Sequence, residues 1–256
     1  MYCILVAGVP ASGKTTLARH LSDALNAPVF SKDAIKETLY DTVGFASRAE
    51  KVKLGEAAFA MMAKAADECL AHGLPVILEN NFETATNPAL RDMLARRGCP
   101  VLTVMMTGDW EAIHARFLRR NASPERHRGH VVNDRYPEGP EPSAPAPAMT
   151  LEEFVRAFHG RGMDRPPLDG PCIAVDATDV ARVNADEVLA CVRLWLRMAG
   201  VQPLLRQRLR VGRYAPSASR AAVSSGNRPS LTSRGAQKSI ISCRVPVIFS
   251  SPSGQQ

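Results

Sequence analysis

Gly8-Val9-Pro10-Ala11-Ser12-Gly13-Lys14-Thr15 fits Gly-x-x-x-x-Gly-Lys-[Ser/Thr], the phosphate-cradling loop, and the 256-residue chain is read outward from it. Cys3-Ile4-Leu5-Val6-Ala7 before it is a short apolar run suited to a buried parallel strand. Behind it, Leu17, Ala18, Leu21, Ala24 and Leu25 fall at helical spacing. Between strand and helix the glycines permit a tight turn, so that successive N–H groups and the helix N-terminus point at one anion. Gly8, Pro10, Ala11, Ser12, Gly13, Lys14, Thr15 and Thr16 are therefore the candidate phosphate-binding residues. Lys14 reaches the outer phosphates as a mobile charge, and the Thr15 hydroxyl is a candidate ligand of Mg²⁺. A nucleotide site follows.

Downstream the pattern alternates. Pro28-Val29-Phe30 reads as a second strand, and Ser31-Lys32-Asp33 opens a helix to about Tyr40. A long alanine-rich helix runs from about Arg48 to Ala71, with Leu54, Ala58, Met61, Met62, Ala65 and Leu70 near one face. Pro75–Glu79 is a third strand signal, and Asn87-Pro88 starts a helix that stops near Gly98. Val101–Met106 is a fourth strand, followed by a helix from Asp109 to Arg120. The polar, proline-rich stretch from Asn121 to Ala148 lacks periodicity and reads as a long loop. Thr150 and Glu153 stand at capping-box spacing; Cys172–Asp176 is a fifth strand and Val188–Met198 a closing helix. Strands alternating with helices predict an α/β domain with a parallel sheet and right-handed crossovers. Asp41-Thr42-Val43-Gly44 matches a GTPase switch only by accident, because it follows a helix and no Asn-Lys-x-Asp element occurs.

The net charge of +7 misleads. Nine of the 32 basic residues lie from Val201 onward, where there are no acids, leaving 23 basic against 25 acidic side chains in residues 1–200. A basic nucleic-acid-binding body does not follow. The 201–256 tail, with eleven serines and no sustained periodicity, reads as a disordered appendage. Six cysteines without a C-x-x-C pair, several in apolar patterns, read as reduced core residues. No apolar run reaches a membrane span and no secretory signal opens the chain, which makes the cytoplasm the expected compartment.

The loop at Gly8–Thr16, then Ser31-Lys32-Asp33, Val76–Phe82 and an arginine-rich segment after strand four, together resemble the P-loop kinases of the polynucleotide-kinase and zeta-toxin kind, AAA-type ATP-binding proteins. The resemblance covers residues 1–200. It implies a P-loop NTPase fold with a five-stranded parallel sheet of order 2-3-1-4-5, flanked by helices, and a lid, here about 121–148, over the nucleotide. It implies ATP and Mg²⁺ as cofactors. Asp33 stands where such kinases carry the carboxylate that faces the acceptor, although an acid in a first helical turn also suits the helix dipole. Glu79 ends strand three, where a carboxylate can hold Mg²⁺ directly or through water, or stay a solvated strand-end charge. Asn81 beside it can touch substrate. Arg116 and Arg120, four apart on one helical face, together with Arg126 match the arginines that grip the base and the transferring phosphates; a helix C-terminus also favours arginine. His127 and His130 lack the further ligands of a zinc lid.

The reading is an ATP-dependent phosphotransferase acting on a hydroxyl of a small-molecule acceptor, with Lys14, Asp33, Arg120 and Arg126 as catalytic candidates. Its rivals are a 5′-hydroxyl nucleic-acid kinase, disfavoured by the absence of net positive charge and of aromatic platforms in the body, and a nucleotide-dependent switch with no acceptor.

Overall fold

The computed structural model describes residues 1–201 and 247–249. Its sheet has the order β2-β3-β1-β4-β5-β6, formed by Cys3–Gly8 (β1), Val29–Ser31 (β2), Val76–Glu79 (β3), Val101–Thr107 (β4), Pro171–Asp176 (β5) and Val247–Phe249 (β6). The first five strands are parallel in the expected order 2-3-1-4-5. β6 is antiparallel to β5, with Cys172 opposite Ile248, and was not expected. Part of the tail therefore extends the sheet, and the rest of the expected disordered tail lies outside the described residues.

Side-chain alternation along β1 builds the layers. Ile4 and Val6 face helices α1 (Lys14–Leu25) and α8 (Ala185–Met198), packing with Leu17, Leu21, Val192 and Leu196. Cys3, Leu5 and Ala7 face the other way, against α3 (Arg48–Ala71) and α4 (Asn87–Arg97), where Phe59, Met62, Leu70 and Leu90 meet them. A parallel sheet covered on both faces holds continuous apolar strands, and β1 is buried at all six positions. Cys3, Cys69, Cys99 and Cys172 are free thiols.

The bounds of α3 are those expected, but its buried face is turned. Lys51, Gly55, Ala58, Phe59, Met62, Ala66 and Leu70 go inward, while Met61 is 52% exposed. Alanines on every side leave the hydrophobic pattern nearly flat, so α2 (Lys32–Thr42) and the sheet choose the face. Among the described residues no helix is long and apolar enough to cross a membrane.

The stretch expected as a bare loop holds a short helix, α6 (Arg128–Val131), which packs on α2 and accepts a hydrogen bond from Lys51 of α3 at His130 O. Val132 is fully buried with Tyr40 and Phe45, and Phe45 and Tyr136 exchange backbone bonds of 2.6 and 2.8 Å. His127 Nε2 meets Asp41 Oδ1 at 3.0 Å and His130 Nε2 meets Glu37 Oε1 at 2.9 Å, one turn apart along α2. Gly129 is where α6 crosses the Tyr40 ring; a Cβ there would lie 2.4 Å from Cδ2. Helices α5 (Trp110–Ala122) and α7 (Leu151–His159) close the same side, α7 opening on a complete Thr150–Glu153 capping box.

Candidate active site

The loop between β1 and α1 has the geometry an anion needs. Gly8 has φ +142°, and a Cβ on it would lie 2.4 Å from the Met106 carbonyl oxygen of β4, so no other residue fits. Ala11 (φ 65°) and Gly13 (φ 92°) are both left-handed, and Gly13 caps α1 without a side-chain bond. The Ser12 hydroxyl is fully buried with no partner, inside the loop that its own N–H closes onto Val9 O at 3.3 Å. A buried hydroxyl left unpaired is costly. A phosphate oxygen seated in the loop would answer it.

Lys14 is the first residue of α1, 6% exposed, and its Nζ donates to Val9 O at 2.8 Å. Burial lowers its pKa to about 8; Glu79 and Asp33 pull it back up and Arg120 pushes it down. Thr15 and Thr16 are exposed on the first turn and line the cavity in front of it.

Glu79 is 5% exposed, so it is no solvated strand-end charge. It accepts the Ser31 hydroxyl at 2.5 Å and is hydrogen-bonded to Thr15. Burial lifts its carboxyl above the ordinary range, against the pull of Lys14, Ser31 and Thr15. Ser31 also accepts the Ala34 N–H at 3.4 Å and so caps α2. The cap is thereby filled, and Asp33, in the first turn of α2, makes no hydrogen bond or ion pair among the described residues. Asp33 is exposed toward the cleft; desolvation by the walls raises its carboxyl, but His130, Arg126, Lys36 and Lys14 outweigh that and hold it below its usual value.

Two cavities meet at Asp33. One, of about 500 Å³, is lined by the loop from Pro10 to Thr16, Glu79, Arg116, Arg119, Arg120 and Val180. The other, of about 1000 Å³, runs beneath α6 and α7. Pro10, Asp33, Asn81 and Arg120 line both. Arg120 Nε is buried without a partner, and burial and then Arg126 lower its pKa. Arg126 lies in the larger cavity, its Nη1 3.6 Å from Glu37 and its Nε unpaired.

Arg116 is used differently from the expected phosphate or base grip. Its Nε donates to Ala11 O at 3.2 Å, Nη1 to Thr178 O at 2.6 Å and Nη2 to Ala177 O at 2.6 Å. It ties the phosphate loop to the turn after β5 and leaves the guanidinium plane as a wall of the smaller cavity. Arg128 is a loop brace, bidentate to Glu138 at 2.6 and 2.8 Å. Residues that sequence reasoning missed also line the larger cavity: Lys36, Arg48, Lys51 and Asn80, whose buried Nδ2 has no partner. No motif marks them, because α2, α3 and the strand-three turn bring them together only through the fold.

A parallel sheet of this order, with the loop and its lysine at the carboxyl end of the central strand, defines a P-loop NTPase of the kinase type. The chain belongs to the AAA-domain family, whose model matches residues 3–135. A solved structure from Chloroflexus aurantiacus, provisionally named a kinase, is 25% identical with a TM-score of 0.60, over 77% of this chain and 96% of that one. Weaker likenesses are a gluconokinase from Sinorhizobium meliloti (18% identity, TM-score 0.43, 77% and 97% covered) and a shikimate kinase from Bacteroides thetaiotaomicron (14%, 0.46, 77% and 98%). No curated protein matches the chain.

Proposed function

We propose that the protein is an ATP-dependent phosphotransferase that moves the γ-phosphoryl group of ATP to a hydroxyl of a small molecule. The observation that carries this is Asp33, an unpaired carboxylate at the border of two cavities, one built for phosphates and one large enough for an acceptor. A switch without an acceptor has no use for the second cavity.

The loop amides and Lys14 hold the β- and γ-phosphates, and Arg120 adds charge where the transferring oxygens gather. Asp33 accepts a hydrogen bond from the acceptor hydroxyl and aligns it. Its lowered pKa makes it a weak base, so the proton passes to it late, as the new O–P bond forms and the β–γ bridging oxygen departs with the electron pair of the broken bond. The residues present suit Mg²⁺: a threonine hydroxyl and one carboxylate in contact, hard oxygen donors, with no cluster of three His, Cys, Asp or Glu side chains among the described residues. Thr15 would bind the ion and Glu79 would hold it directly or through water. When bound, Mg²⁺ neutralises charge on the phosphate oxygens.

Asp33→Asn keeps the shape and loses the charge. It should leave ATP affinity and Tm nearly unchanged and lower acceptor-dependent ADP release by roughly 10²–10⁴. Intact transfer with a lowered Tm would reduce Asp33 to a helix-start residue.

A further inference from the structure

The larger cavity is more cationic than binding a neutral alcohol needs. Its walls carry seven Lys/Arg side chains against two carboxylates, Asp33 and Glu83, although residues 1–200 as a whole are slightly acidic. Glu83 is engaged by Arg161 at 3.4 Å, and Asp33 is placed for the hydroxyl. Lys32, Lys36 and Arg48 form no ion pair among the described residues, and Arg126 reaches a carboxylate only at 3.6 Å. Lys51 is 3% exposed, and no acid meets it. Its Nζ donates to His130 O at 3.0 Å, Val132 O at 2.5 Å and Asn133 Oδ1 at 3.1 Å.

These cations crowd one another. Burial, then Lys36, Arg48 and Arg126, lower the Lys51 pKa to about 7. Burial also lowers Lys36, with Lys32 and Arg48 pushing the same way and Asp33 opposing. Like charges held together in a partly dry cleft are unfavourable unless a ligand supplies the counter-charge, and such a cleft focuses its field on anions. The cavity is also roofed: Pro145–Met149 of the loop and Phe158 of α7 line its far side, leaving room for a small molecule.

We infer that the acceptor is an anionic small molecule, an alcohol bearing its own phosphate or carboxylate group, held by Lys36, Arg48 and Arg126 while its hydroxyl lies at Asp33; Lys51, whose three N–H donors are already spent, adds only charge behind them. The inference rests on the phosphotransferase reading for the hydroxyl, but the anion site stands on the cavity walls alone.

The test has two arms on the full-length chain. In the first, ADP and Mg²⁺ saturate the nucleotide cavity, and Tm is followed as glycerol 3-phosphate, glycerate or glycerol is added. Glycerol 3-phosphate or glycerate should raise Tm in the wild type, glycerol should not, and Lys36→Met and Arg48→Met should abolish the effect. Both substitutions keep an aliphatic stem at partly exposed positions, and each variant's own Tm without ligand checks its folding. In the second arm, ADP release is screened with alcohols in matched pairs, neutral and phosphorylated or carboxylated. Charged members should be preferred, and each variant should raise their KM by ~10-fold or more, a loss typical of one charge-assisted contact. The phosphate and carboxylate members of each set tell the two anion classes apart. A Tm response without turnover would keep the anion site and sink the phosphotransferase reading. Turnover of neutral alcohols that neither variant affects would do the reverse; preferential phosphorylation of 5′-hydroxyl oligonucleotides would keep phosphoryl transfer and overturn the small-molecule acceptor.

Discussion

Lys14 is buried beside the Val9 carbonyl, Glu79 and Asp33, with the Arg120 charge opposing, and its pKa of about 8 makes its charge depend on what binds. ATP binds the ammonium form. Above pH 8 the free protein holds Lys14 neutral, so binding must first protonate it, and ATP affinity should fall as pH rises from about 8 toward 9 or 10. Titration calorimetry in buffers of different ionisation enthalpy should show proton uptake at pH 8.5. Lys14→Met should bind ATP more weakly and without that pH dependence; an identical slope in the variant would assign the titration elsewhere. This residue was legible in the sequence because Gly8 and Gly13 meet backbone demands that no other residue satisfies. The position of Asp33 at the mouth of both cavities was legible from its place after a strand. The use of Arg116 was not, since its partners Ala11, Ala177 and Thr178 offer backbone oxygens that no side-chain pattern records.

At the scale of elements, α2 carries both Asp33 at its start and the clasp for α6 at Glu37 and Asp41. Two histidine contacts tie the 121–148 stretch to α2, with Lys51 as a third tie. His127→Ala with His130→Ala should speed limited proteolysis within that stretch by ~10-fold or more, and ATP with Mg²⁺ should slow cleavage of the wild type. Equal cleavage rates in wild type and double variant would show that the clasp does not govern opening. This packing escaped the sequence because a four-residue helix has no period to detect and is held by residues some 80 to 90 positions away. For α3 the length was readable and the face was not, alanine being neutral between the two.

For the whole molecule, strand–helix alternation and crossover handedness pointed to a parallel sheet, while its order 2-3-1-4-5 was what the resemblance to P-loop kinases implied. β6 did not follow, since three residues in a serine-rich stretch carry no alternation. It pairs with β5, the strand beyond β4 from the phosphate loop, so truncation after Val201 should leave ATP affinity unchanged and lower Tm by only a few degrees, ~2–4 °C per kcal/mol of lost edge pairing. Loss of nucleotide binding in the truncated chain would make the tail part of the site. The shared wall of Pro10, Asp33, Asn81 and Arg120 has a consequence for the order of events. On the proposed reading both ligands border Arg120, and linkage requires that whatever factor one imposes on the other's affinity be returned in full. In the proposed complex the acceptor's anion and the γ-phosphate repel across that shared wall, whereas ADP lacks that phosphate. On that reading the acceptor would bind more tightly beside ADP than beside ATP, a bias that would turn ADP and unreacted acceptor into a dead-end pair at high acceptor concentration.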